Sequence, residues 1–295
     1  MYVNVVVGVD GLAGGSDAVA LAKALAPAEV GVALVHVRLI AAVPSRASSG
    51  PFDAAGHERS RDLLARERDA HASGAEVFSV AATSVGAGVH DLAESRGADL
   101  IVVGGSHRSA VGRVLAGDDA RSVLHHAPCS VAVAPAGYAD GSTRLETIAV
   151  AYDGSEQSEV AVAHATLLAA DLSAKLVVRT VVEPHVYSGG GWTPSAAFLE
   201  DPETAVAAAR ERLSDVGDGG LNVILGSVRE ELAALSEQVD VIVCGSRHQT
   251  AVKRVMLGST SDYLARHSAC PLLVTPATDE KRVATWRELR GVAAV

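Results

Sequence analysis

Two clusters in the carboxyl-terminal half have residue types and spacing suited to holding an anion. One is a glycine- and hydroxyl-rich loop, which leaves at Gly245-Ser246-Arg247-His248 and returns at Gly258-Ser259-Thr260-Ser261. Gly245 lets the backbone turn sharply and approach a ligand closely. A Gly-Ser step at the mouth of a helix offers unpaired N–H groups and the positive end of the helix dipole. The hydroxyls of Ser259, Thr260 and Ser261 add donors, and Arg247, Lys253 and Arg254 add positive charge. The other cluster is Ala151-Tyr152-Asp153, which closes a short apolar run. If the two runs lie side by side in a sheet, loop and acid face one crevice, and the crevice suits the phosphates of a nucleotide. A plainer reading stays open for each. Ser259 would serve as an N-cap, and Asp153 would cap the turn into the next helix.

The same arrangement is written earlier in the chain. Asp99–Ala136 aligns without a gap on Asp240–Ala277, and about 15 of the 38 positions are identical. Gly104/Gly245, His107/His248, Arg113/Arg254, Gly117/Gly258, Cys129/Cys270 and Pro135/Pro276 are among them. NVVVGVDG at Asn4–Gly11 resembles TIAVAYDGS at Thr147–Ser155. A repeat of this length means two domains rather than a solenoid. The expected boundaries are 1–138 and 145–277, with a polar, glycine-containing linker between them and a tail over 278–295 that has no counterpart in the first half. The tail reads as a short amphipathic appendage.

Stepping along each half, Val-rich runs alternate with Ala-rich ones, the pattern of buried parallel strands covered by helices. Strands are expected at Val5–Val9, Ala33–Val37, Glu76–Ala81, Leu100–Val103 and Ser130–Ala134. In the second half they fall at Ile148–Tyr152, Lys175–Val182, Leu221–Leu225, Val241–Cys244 and Pro271–Thr275. A helix over Ser155–Ala170 starts at Ser155 with Glu156 and Glu159 in its first turns, and another is expected over Pro202–Ser214. Right-handed crossovers then give an α/β fold of two similar doubly wound domains, with ligands past the carboxyl ends of the strands. The last strands, Val131–Val133 and Leu272–Val274, are apolar edges that need covering. The halves are expected to pair through them, with a homodimer through the same edges as a further expectation.

Composition narrows the function. The chain of 295 residues is 48% hydrophobic with a net charge of −10, and no Lys/Arg cluster offers a nucleic-acid surface. No uninterrupted apolar run reaches spanning length, and Tyr2–Val9 reads as a strand, so neither membrane nor export is expected. Three cysteines, Cys129, Cys244 and Cys270, lack metal-type spacing and suit a reducing cytoplasm as small buried hydrophobes. His125 and His126 are adjacent and face different ways, so no metal site is expected. Walker A and GxSxG motifs are absent, and no catalytic residue is assigned; at most slow ATP hydrolysis is expected.

The V-D-G and Y-D-G that close the two first strands, the G-2x-G-9x-G-(S/T) spacing and the ending HAPCSVAVAP resemble the universal stress protein family, in its tandem two-domain form, over about Val3–Ala277. The resemblance implies an open five-stranded parallel sheet of order 3-2-1-4-5 in each half. It also implies ATP binding in one branch, with Mg2+ as its companion ion, dimerisation through the last strand, regulatory protein partners, and roles in stress survival or growth arrest. By position, Asp153 matches the acid near adenine and ribose, with Ala151 on the same strand end. Val181 matches the strand-two residue whose backbone meets adenine. Gly245, Gly258 and Ser259 match the loop's glycines and hydroxyl, and Ser246, Arg247, His248, Thr260 and Ser261 go with them. The first half offers Gly8, Asp10, Val37, Gly104, His107 and Gly117. Two departures stand out. The loop's middle glycine is His107 or His248, which restricts φ but keeps the N–H. Asp118-Asp119 replaces Gly-Ser/Thr chemistry at the first helix mouth, where each like-charge contact at ~4 Å costs on the order of 1–4 kcal/mol against a triphosphate. Binding is therefore expected mainly in the second half. The alternative is a dimeric stress scaffold that binds no nucleotide and acts through protein partners.

Overall fold

The computed structural model describes residues 2–26, 31–40, 51–106, 112–141, 144–183, 207, 222–246 and 254–289. The first half runs β1 (Asn4–Gly8), α1 (Ala13–Leu25), β2 (Gly31–Leu39), α2 (Pro51–His71), β3 (Glu76–Ala82), α3 (Val85–Arg96), β4 (Leu100–Gly104), α4 (Asp118–Leu124) and β5 (Ser130–Ala134). The second runs β6 (Thr147–Ala151), α5 (Glu156–Leu172), β7 (Lys175–Val182), β8 (Asn222–Leu225), α6 (Val228–Leu235), β9 (Val241–Gly245), α7 (Ser259–His267), β10 (Leu272–Thr275) and α8 (Glu280–Leu289). The helix expected over Pro202–Ser214 lies outside the described residues.

Side chains alternate across the strands, and both faces are covered. Val5 and Val7 enter one core with Leu21 and Leu34, while Val6 enters the other with Ile101 and Val123. Burial on both faces is why these strands read as continuous apolar runs.

The sheet order is β3-β2-β1-β4-β5-β10-β9-β6-β7-β8. Each half keeps the 3-2-1-4-5 order, but the halves do not form two separate open sheets. β5 and β10 pair antiparallel, with Leu272 opposite Val133 and Val274 opposite Val131, and fuse them into one ten-stranded sheet. This meets the expectation that the halves pair with each other through their last strands. Those edges satisfy each other within the chain, and the outer strands are β3 and β8.

The loops that lead into α4 and α7 brace across the junction. The Val114 amide donates to the Ser268 carbonyl at 2.7 Å, and its repeat counterpart, the Val255 amide, donates to the Ala127 carbonyl at 2.9 Å. Arg121 and Asp262 pair across the same junction at 3.1 Å. The tail is more than an appendage: α8 packs on α5 and buries Trp286 in the core that runs through both halves.

Candidate functional site

The site grows from the end of β6. The chain leaves Ala151, passes Asp153 and turns at Gly154, whose φ of 84° favours glycine. The Asp153 carboxylate accepts from the Ser155 amide at 3.0 Å and the Ser155 hydroxyl at 2.6 Å. Ser155 in turn caps α5 by accepting from the Ser158 amide at 3.2 Å. Burial alone would push the Asp153 carboxyl up. The bonds from Ser155 and Ser158 outweigh it and hold the group below the usual carboxylate range. In the first half the Asp10 carboxylate accepts from the Leu12 amide at 2.9 Å. Both acids therefore cap their turns, as the plainer reading had it, and both also line a cavity.

β6 lies between β7 and β9. Past their carboxyl ends opens a cavity of about 280 Å³. Ala151, Asp153, Val181, Gly245, Ser246, Gly258, Ser259, Thr260 and Ser261 all line it. These nine positions come from four separated stretches of sequence. Arg247 and His248 lie outside the described residues.

Four residues singled out from the sequence have packing or pairing roles of their own. Gly245 is required by packing: a Cβ there would stand 2.6 Å from the Gln157 carbonyl oxygen on α5. Gly104 is held the same way: a Cβ there would run into the Gly14 carbonyl oxygen. The Ser261 hydroxyl accepts from the Gly258 amide at 2.8 Å and closes the cap of α7, leaving Ser259 and Thr260 as the hydroxyls at the helix mouth. Arg254 turns away from the cavity and donates to Glu94 at 2.5 Å and to the His126 carbonyl at 3.0 Å, both in the first half.

Sequence reasoning missed Arg179, Val228 and Leu232 on the cavity wall. The signal for Arg179 was an arginine inside the apolar strand KLVVRTVV. Burial pulls its guanidinium below the ordinary value, against the opposing charge of Glu231. Arg179 Nε and Ser246 Oγ are buried without a hydrogen-bond partner. Such atoms are rare in native proteins and ask for an acceptor from elsewhere.

The first half has a matching cavity of about 250 Å³, lined by Gly8, Asp10, Val37, Gly104, His36 and Asp119 among others. Gly117 caps α4 but is not part of the lining, and His107 lies outside the described residues. Asp118 and Asp119 occupy the first turn of α4. Val35 stands opposite Gly8 in the register, as Arg179 stands opposite Ala151. The two cavities thus share a frame and differ in polarity.

These features define a duplicated, doubly wound α/β protein with one cleft per half at the carboxyl ends of the central strands. A profile of the universal stress protein family matches residues 1–135 and 144–276. The chain belongs to the universal stress protein family. A universal stress protein of Mycobacterium tuberculosis is 30% identical over 209 residues, covering 65% of this chain and 69% of that protein. The stress response protein NhaX of Bacillus subtilis is 30% identical over 160 residues, 44% of this chain and 96% of its own length. A universal stress protein of Archaeoglobus fulgidus shares the fold over 93% of this chain and 99% of its own, with a TM-score of 0.66 and 18% identity. Among the described residues, no helix is long and apolar enough to cross a membrane.

Proposed function

We propose that the chain is a universal-stress-type regulatory protein of the cytoplasm that binds ATP in its second cavity and uses it as a conformational switch in stress response or growth control. The observation that carries this reading is the difference between paired helix mouths: Ser259 and Thr260 on the second cavity, Asp118 and Asp119 at the first. The open N–H groups of α7 and the two hydroxyls suit phosphate oxygens. Val181, Val228 and Leu232 offer an apolar wall for a base at the other side of the cavity. The orphaned donors of Arg179 and Ser246 suit a ligand rich in acceptors. Asp153 is the acidic side chain of the lining, so Mg2+ would be held by it together with the phosphates. At the mouth of α4 two carboxylates satisfy the helix dipole themselves, and Asp119, which lines the first cavity, repels a triphosphate there.

The test begins with protein purified from cells. Denaturation is expected to release adenine nucleotide. A Ser259→Asp variant, which copies Asp118, is expected to bind at least about fivefold more weakly. Wild-type protein that neither carries nor binds adenine nucleotide at millimolar concentration sinks the reading, and equal binding by Ser259→Asp sinks the phosphate-loop assignment.

A further inference from the structure

Arg179 stands in the second cavity at the register position where the first half has Val35. Its Nε is buried and has no hydrogen-bond partner. Ser246, 3% exposed, carries a second such atom in the same cavity, and its repeat counterpart is Gly105. Both donors are therefore additions of the second half. Glu231 acts on Arg179 through space but takes no hydrogen bond from it. Burying a donor without an acceptor is costly, and two in one cavity mark places where a ligand supplies the acceptors.

The strand order gives the two donors different ends of the cavity. Arg179 is on β7, Ser246 directly follows β9, and β6 lies between them. Two strand spacings separate their backbones by roughly 9–10 Å. Ser246 is on the side of the α7 mouth, where an anion belongs. Arg179 is grouped with Val181, Val228 and Leu232, where a flat heterocycle belongs. We propose that Arg179 reads the base of the bound nucleotide, donating to a ring acceptor of a purine, while Ser246 donates to its sugar or first phosphate. This rests on the nucleotide reading above. A guanidinium has donors only, so the site selects a base edge that presents an acceptor toward β7. The aliphatic Val35 gives the first cavity no such selection.

Calorimetric titration of the full chain tests this with ATP, its 1-deaza, 3-deaza and 7-deaza analogues, and inorganic tripolyphosphate, on wild type, Arg179→Val and Arg179→Lys. Arg179→Val is expected to weaken ATP binding about 10- to 100-fold, the range of a hydrogen bond from a charged donor, and to leave tripolyphosphate unchanged. One deaza analogue is expected to lose a similar factor on wild type and nothing further on Arg179→Val. Arg179→Lys keeps the charge without the fork and falls between. Equal losses for ATP and tripolyphosphate would make Arg179 a charge only, and overturn the proposal. So would deaza analogues that all bind wild type like ATP, a readout that stands even if Arg179→Val does not fold. Wild type that binds tripolyphosphate but gains nothing from the base also overturns it, while the phosphate assignment survives. Wild type that binds neither ATP nor tripolyphosphate removes the nucleotide reading itself, and this proposal with it.

Discussion

The phenol of Tyr2 donates to Nδ1 of His164 at 3.1 Å, joining the segment ahead of β1 in one half to the first helix of the other. Burial pushes the Tyr2 phenol up to about 12, against the charge of Arg282, so it keeps its proton and is the donor. Nε2 of His164 then carries the ring proton and donates to Asp279 at 3.0 Å. Arg282 lies 4.5 Å over the Tyr2 ring and bridges Asp99 at 3.2 Å and Asp279 at 3.4 Å. Asp99 accepts from the amides of Val3 and Asn4. One network thus ties the tail to both halves.

The network makes stability depend on mild acid. Burial pulls His164 below its ordinary value, against the hydrogen bond it donates to Asp279, so the folded chain holds it neutral. The unfolded chain binds a proton there as pH falls below about 6.5. The contribution is fully present above that pH and is lost as pH falls through it toward the folded value. His36, His90 and His125 are shifted in the same direction, first by burial, and add to the slope. Tm measured from pH 7.5 to 5 is expected to fall, and His164→Gln to flatten part of that fall. A His164→Gln profile with the wild-type slope would place the acid sensitivity elsewhere.

Arg282 is expected to matter more than a surface arginine. Its side chain is 14% exposed and serves two carboxylates and an aromatic face. Arg282→Ala is expected to cost about 2 kcal/mol in urea unfolding. A loss within about 0.5 kcal/mol, the usual range for surface changes, would show that α8 is held by Trp286 alone.

Gly245→Ala is expected to damage the fold rather than the ligand contact. The new methyl would meet the Gln157 backbone at 2.6 Å, and overpacking of this kind costs about 1–3 kcal/mol. Urea unfolding gives the answer, and unchanged stability would return Gly245 to the ligand-approach role expected from the sequence.

The first cavity can be rewritten. Asp118→Ser with Asp119→Thr copies the second helix mouth. In a Ser259→Asp background the double change is expected to create nucleotide binding that equilibrium dialysis detects. No gain would mean that the carboxylates are not what closes the first site.

Much of this architecture was legible because duplication doubles the signal: strands, crossovers and the acid–loop pairing occur twice. Direction was not legible. A sequence cannot say whether Gly245 faces a ligand or a helix, and the answer was the Gln157 backbone. Arg254 was read as phosphate charge, yet it crosses to Glu94, as its counterpart Arg113 crosses to Glu237 at 3.2 Å. The hint was that both copies keep this arginine while their helix mouths differ. Arg179 was hidden because its strand was read as an apolar run, in which one charge looks like noise.

The most direct measurement is the stoichiometry of ATP on the full chain, by equilibrium dialysis with wild type and Ser259→Asp. The asymmetry of Ser259-Thr260 against Asp118-Asp119 predicts one site per chain in wild type, weakened at least about fivefold in Ser259→Asp. Two equivalent sites, no site, or one site of unchanged affinity in Ser259→Asp would contradict it.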